Sequence, residues 1–245
     1  MQVLPAKVRY LGRVVSGDGY SLDPEDTAAV HNLAKQKPAT VGDVCKLLGF
    51  LSYYRHYIQD FSRIAKPLYD LMVGPDPLVS YHRVTLTEEH QKRLDMLIHR
   101  LTSPPVMAFP DFTKPFVLHT YASQEGMGAV LYQEQDGKLR VLEYASRTLT
   151  PSEKNYHMHA GKLEFIALKW AITEKFCDYL FHATSFTVYT DNNPLMYVLS
   201  SAKLSAVGHR WVAELADFNF DIKYRPGKFN IDADMLSCLP AIRPQ

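Results

Sequence analysis

Residues 115–132 read PFVLHTYASQEGMGAVLY. The stretch is a strand, a tight turn and a second strand. PFVLHTYAS (115–123) and GAVLYQE (128–134) are short runs rich in apolar, β-branched and aromatic residues, and Gly126 and Gly128 mark the turn between them. A third run of the same kind, LRVLEYAS (139–146), follows the turn signal Asp136-Gly137. Three strands joined by tight turns predict an antiparallel sheet. The stretch also poses a chemical question, because Tyr121 ends the first strand at a place where a carboxylate would be useful.

Downstream, the pattern changes from strands alone to strands alternating with helices. EKNYHMHAGKLEFIALKWAITEKFCDYL (153–180) predicts one long helix with Leu163, Ile166, Ala167, Trp170 and Ala171 as its buried stripe. SFTVYTD (185–191) predicts a fourth strand, NPLMYVLS (193–200) and SAVGHRWVAELADF (205–218) helices, FDIKYRP (220–226) a fifth strand, and NIDADMLSCL (230–239) a last helix. The order β-β-β-α-β-α-β-α implies an α/β fold: a mixed five-stranded sheet flanked by helices.

Upstream of residue 113 the chain has another character. VRYLGRVVSGDGY (8–20) reads as strand, turn and strand end, and DPEDTAAVHNLAKQ (23–36) opens a helix with acids in its first turn. Lys37-Pro38 breaks it. A second helical run begins at the N-cap candidate Thr40 and repeats Val44, Leu47, Leu48 and Leu51 at helical spacing. After a Pro- and Gly-bearing loop, Thr87 begins a capped helix with Leu94, Leu97, Ile98 and Leu101 on one face. The expected division is residues 1–75, a small helical unit; 76–112, a connector; and 113–240, the sheet domain.

Composition is that of a folded domain: 245 residues, 47% hydrophobic and 22% charged, with a net charge of +1. That balance excludes a protein held on nucleic acid by bulk charge alone, yet a carboxylate-rich site beside a basic groove gives the same total. No membrane-length apolar tract and no secretory leader is read, so the cytoplasm is expected, with the nucleus as the alternative. Cys45, Cys177 and Cys238, odd in number and without CxxC spacing, are expected to be reduced thiols.

The acids carry the chemistry. Hydrolysis of a phosphodiester by two metals needs several carboxylates around two Mg²⁺ ions about 4 Å apart. Glu164 on the long helix, Asp191 at the end of VYTD, and Asp232 and Asp234 near the last helix are candidates. Each has a structural alternative. Glu164 also reads as a solvated helix acid, Asp191 as a cap for the following turn, and Asp232 or Asp234 as acids favoured by a helix dipole.

Taken together, these blocks resemble the C-terminal part of the Pol polyprotein of gypsy-type LTR retroelements. YLGRVVSGDGYSLDPED resembles the end of the reverse-transcriptase palm, and LLGFLSYYRHYIQDFSRIAKPLYDLM its thumb. YASQEGMGAVL, KLEFIALKWAI, VYTDNNPLMYVL and YRPGKFNIDADMLSCLP resemble the ribonuclease H motifs, in order and spacing. The resemblance implies a ribonuclease H-like fold behind a thumb-like subdomain. It also implies Mg²⁺ (or Mn²⁺) as cofactor, an RNA–DNA hybrid as substrate, and the upstream palm and fingers, with the polymerase acids, as partners.

The family's acids lie in DAS, the helix Glu, TD and ADALS. Here they fall on Tyr121, Glu164, Asp191 and Asp234, so Asp232 is the extra acid. Cys238 stands where the family has arginine. Tyrosine is neutral near pH 7, with a reference pKa of about 10, and offers one oxygen where a bridging carboxylate offers two. An impaired nuclease is expected, with a non-catalytic binding or tethering module as the rival reading. Glu125, four residues on, is the alternative replacement ligand. Arg225 and Lys228, with Tyr54 and Arg55, are candidate nucleic-acid contacts. Packing of the thumb-like helices is the other reading of the Tyr53–Tyr57 cluster. His157 and His159, two apart on a helix, face apart and are not expected to pair on a metal.

Overall fold

The computed structural model describes residues 7–35, 38–73, 81–103, 107–155, 160–191, 195, 197 and 206–225. Three strands of the downstream part are β4 (Phe116–Ala122), β5 (Gly126–Gln135) and β6 (Lys138–Thr148), and two more are β7 (Phe186–Thr190) and β8 (Phe220–Tyr224). They form a five-stranded sheet in the order β6-β5-β4-β7-β8. β4, β5 and β6 are antiparallel neighbours, whereas β7 runs parallel to both β4 and β8. The expected mixed sheet is therefore present. Asp136 and Gly137, both with positive φ, make the two-residue β5–β6 turn that Asp-Gly announced.

The predicted long helix changes character after Trp170. It comprises α5 (Pro151–Asn155), α6 (Ala160–Trp170), a π-helical turn (Ala171–Lys175) and α7 (Cys177–Leu180). The Phe176 amide reaches back five residues to the Ala171 carbonyl at 2.9 Å, and the Thr173 hydroxyl donates to the Lys169 carbonyl at 2.9 Å. Side-chain back-bonding of this kind competes with the regular ladder and bends a helix. The helix expected over 205–218 is α8 (Ala206–Leu215). The last predicted helix, with Asp232, Asp234 and Cys238, lies outside the described residues, as do Lys228, His157 and His159.

The upstream part opens with three strands rather than two: β1 (Lys7–Tyr10), β2 (Arg13–Ser16) and β3 (Gly19–Leu22), an antiparallel sheet. Gly19 is required in the third, because its φ is +132° and a Cβ there would lie 2.1 Å from the Met107 carbonyl oxygen. Helices α1 (Pro24–Lys35), α2 (Val41–Tyr53), α3 (Phe61–Asp70) and α4 (Glu88–Thr102) follow. Thr40 and Asp43 form a reciprocal capping box at the start of α2, and Thr87 caps α4.

Two apolar clusters hold the molecule together. One lies between the sheet and α6, through Phe116, Leu118, Ala129, Leu131, Leu163 and Ala167. The other lies on the opposite sheet face. There Val130, Tyr132, Val141 and Tyr144 join Leu51 and Phe61 of the helical unit and Leu97 and Leu101 of the connector helix. Burying each such leucine is worth about 1.5–3 kcal/mol. Residues of all three expected segments thus meet in this second cluster. Among the described residues no helix is long and apolar enough to cross a membrane.

Candidate active site

β4 and β7 lie side by side and point the same way, so their C-terminal ends open on one edge of the sheet. Such an edge presents side chains into a crevice. Asp191 follows β7 directly and is exposed. Glu164 approaches the same edge from α6. It is buried, with 6% of its surface exposed, and its Oε1 accepts a hydrogen bond from the Ala122 amide at 2.9 Å. Its Oε2 is buried and has no hydrogen-bond partner among the described residues.

Burial pushes the Glu164 pKa up to about 7, the Ala122 amide opposes the shift, and the negative charge of Asp191 adds to it. Glu164 is therefore no solvated helix acid. One of its oxygens is oriented by backbone, and the other meets no donor among the described residues. Two neighbouring carboxylates in different surroundings supply hard oxygen donors of the sort Mg²⁺ prefers.

Tyr121 does not join them. Side chains alternate along β4. Phe116 and Leu118 face the α6 core and Val117 the other cluster; Tyr121, next to the Ala122 whose amide holds Glu164, sends its long ring toward the helical unit. It pairs across the strands with Gly128, and its ring lies so close over that residue that a Cβ there would fall 1.9 Å from the phenol oxygen. Glycine at 128 is what makes room for the ring.

The Tyr121 hydroxyl donates to Asp60 Oδ1, in the turn that precedes α3. Burial, with the Asp60 charge and hydrogen bond, lifts its pKa well above that of a free phenol. Asp60 sits in the left-handed region at φ 58°, and its Oδ2 receives Arg63 at 2.7 Å. Arg100 braces the same turn by donating to the Gln59 carbonyl at 2.6 Å. Tyr121 is thus a neutral donor turned toward the helical unit. Glu125 is exposed, and its negative charge is felt at Arg63, on the side of the helical unit. Among the described residues no group of three or more His, Cys, Asp or Glu side chains is arranged to hold a metal.

Asp60 was not legible as a site residue, since nothing local in QDFS signals a partner 61 positions away. The other candidates take these places. The Arg225 amide donates to the Thr190 carbonyl at 2.9 Å, and its guanidinium lies 5.8 Å from the centre of the Tyr189 ring, beside the strand that leads to Asp191. Tyr54 is buried and donates to Asp26 Oδ2 at 2.8 Å; the ring left to solvent is Tyr53, 69% exposed. Arg55 donates to the Ser146 carbonyl and so ties the helical unit to β6. Asp234 and Lys228 lie outside the described residues.

The family model for the RNase H-like domain found in reverse transcriptase matches residues 111–218. The chain is 36% identical over 242 residues to the Pol polyprotein of transposon opus from Drosophila melanogaster, covering 97% of this chain and 24% of that protein. It is 36% identical over 236 residues to the Pol polyprotein of transposon gypsy from the same organism, covering 94% and 22%. The chain spans about a quarter of the length of these curated relatives.

Solved structures agree in fold. The foamy viral protease-reverse transcriptase dRH in complex with double-stranded DNA superimposes with a TM-score of 0.73 at 20% identity, over 91% of this chain and 38% of that one. The foamy viral protease-reverse transcriptase in complex with RNA/DNA hybrid gives 0.71 at 20% identity, over 98% and 31%. Residues 111–218 thus match the RNase H-like domain found in reverse transcriptase, within a sequence that is similar over nearly its whole length to the Pol polyproteins of gypsy-type retroelements.

Proposed function

We propose that this chain is the thumb, connection and ribonuclease H segment of a retroelement Pol protein. In this reading residues 1–75 end the palm and form the thumb, 76–112 the connection and 113–240 the nuclease domain. Its ancestral reaction is hydrolysis of the RNA strand of RNA–DNA hybrids, and this copy is impaired by Tyr121. It works in the cytoplasm or nucleus beside an upstream palm and fingers.

The observation that carries the proposal is the contrast at the sheet edge. Beside Asp191, Glu164 keeps a buried oxygen that has no partner among the described residues, while the hydroxyl of Tyr121 is given to Asp60 on the helical unit. Glu164 and Asp191, with Asp234, would hold the divalent metal. Bound there, Mg²⁺ would ready the attacking water and stabilise the leaving oxygen. The chain's own groups position that chemistry: the Ala122 amide fixes Glu164, and β7 delivers Asp191. Without a bridging carboxylate at 121, a rate loss of at least about 10³-fold is expected, comparable with removal of a major charge-stabilising group.

A second reading, a non-catalytic platform that binds hybrid, is favoured by the shared core and the Tyr121–Asp60 bond. Both readings are tested by binding and cleavage of a labelled RNA–DNA hybrid in Mg²⁺ and in Mn²⁺, beside an Asp191→Asn variant. Hybrid binding with cleavage no faster than the variant's is expected. Absence of hybrid binding overturns both readings, and Asp191-dependent cleavage at an ordinary enzyme rate overturns the impairment.

A further inference from the structure

A groove of about 340 Å³ runs between α3 and the end of β6, and four cations, Arg55, Lys66, Arg147 and Lys154, line it. Among the described residues Asp70 is the one acid in the lining. The two arginines are fixed in place. Arg55 is held by the Ser146 carbonyl, and Arg147 by both oxygens of Glu153 at 2.8 Å and by the Trp170 ring at 5.6 Å. The two lysines are freer. Lys66 makes a surface pair with Asp70 at 3.0 Å, a contact of little strength in water, and Lys154 is exposed. Four cations against Asp70 and Glu153 leave an excess of positive charge in a groove with a rigid floor and adjustable walls.

Its position gives the groove a use. Thr148 lines it and pairs with Gly126, while Ala122, whose amide holds Glu164, pairs with the adjacent Met127. The groove therefore lies at the same end of the sheet as Glu164 and Asp191. It is two strand spacings from β4, or about 10 Å. That is about three nucleotide steps along one strand of a duplex.

We propose that this groove is a cradle for the backbone phosphates of a nucleic-acid strand that continues across the edge carrying Glu164 and Asp191. The proposal rests on the reading that hybrid is bound at that edge. Phosphate contacts of this kind fix register rather than read sequence.

The test is fluorescence anisotropy of the full chain with a labelled RNA–DNA hybrid across a salt series. The unchanged chain is compared with Lys66→Gln/Lys154→Gln and with Lys114→Gln/Lys138→Gln. The latter pair lies at the opposite end of the sheet, before β4 and at the start of β6. Each phosphate contact contributes about 0.9 to the slope of log affinity against log salt. The groove variant is expected to lower the slope by about 2, and the control pair to leave it unchanged. An unchanged slope, or an equal loss in the control, overturns the groove as a phosphate site. Failure of every form to bind hybrid instead overturns the reading on which it rests.

Discussion

At the scale of single residues, position 121 carries the proposed impairment. Its tyrosine lays a ring over Gly128 and fastens the sheet to the turn at Asp60. The two effects are separable. Tyr121→Phe keeps the ring over Gly128 but strips Asp60 Oδ1 of its donor. An unsatisfied, largely buried acceptor costs about 1–3 kcal/mol, so urea unfolding of Tyr121→Phe is expected at a lower midpoint. An unchanged midpoint would mean that the hydrogen bond is incidental.

Glu164 makes the second prediction at this scale. Its folded pKa of about 7 lies above its ordinary 4.5. The folded state therefore favours the protonated acid, and the stabilisation is complete below pH 4.5 and lost as pH rises through 7. The difference is worth about 3 kcal/mol. Without divalent metal, Glu164→Gln is expected to gain stability relative to the unchanged chain between pH 5 and pH 8, as read by thermal melts at each pH. A pH-independent difference would place Glu164 in a wetter setting. That Glu164 and Asp191 are site candidates was legible in the sequence, since each ends or edges an apolar element. The Tyr121–Asp60 bond was not, because a contact between distant residues leaves no local pattern.

At the scale of elements, periodicity was the dependable signal. Thr40 and Thr87 cap helices as their sequences announced, and Leu94, Leu97, Ile98 and Leu101 are buried on one face of α4. Two features escaped. The break after Trp170 depends on backbone geometry in a stretch whose apolar spacing stays helical, and β3 is pinned to Met107 by tertiary contact, with hydrogen bonds of 2.8 and 2.9 Å between Tyr20 and Met107. The α4 stripe allows a direct check. Leu97 is fully buried and Met96 is 41% exposed. Leu97→Ala is expected to cost about 2–5 kcal/mol and Met96→Ala less than about 0.5 kcal/mol. Similar losses for the two in denaturant unfolding would contradict the placement of α4 against the sheet.

At the scale of the whole molecule, the helical unit and the sheet domain form one packed body through the cluster that joins Leu51, Phe61 and Leu97 to Val130, Tyr132 and Tyr144. Ser62 and Ser146 add a reciprocal pair of hydrogen bonds, each 2.9 Å, across the same boundary. The sequence announced both units but not their union, since apolar strand residues look alike whichever partner covers them. The union sets the edge with Glu164 and Asp191 beside the cationic groove, which is the arrangement the proposed hybrid binding requires.

If Tyr121 disables an otherwise retained carboxylate site, restoring the carboxylate will revive it. Cleavage of a labelled RNA–DNA hybrid would be followed in Mg²⁺ for the unchanged chain, for Tyr121→Asp, and for Tyr121→Asp/Asp191→Asn. Cutting of the RNA strand is expected from Tyr121→Asp alone, at least about 10³-fold faster than from either of the others. Cutting by the unchanged chain at a rate comparable with Tyr121→Asp would contradict it.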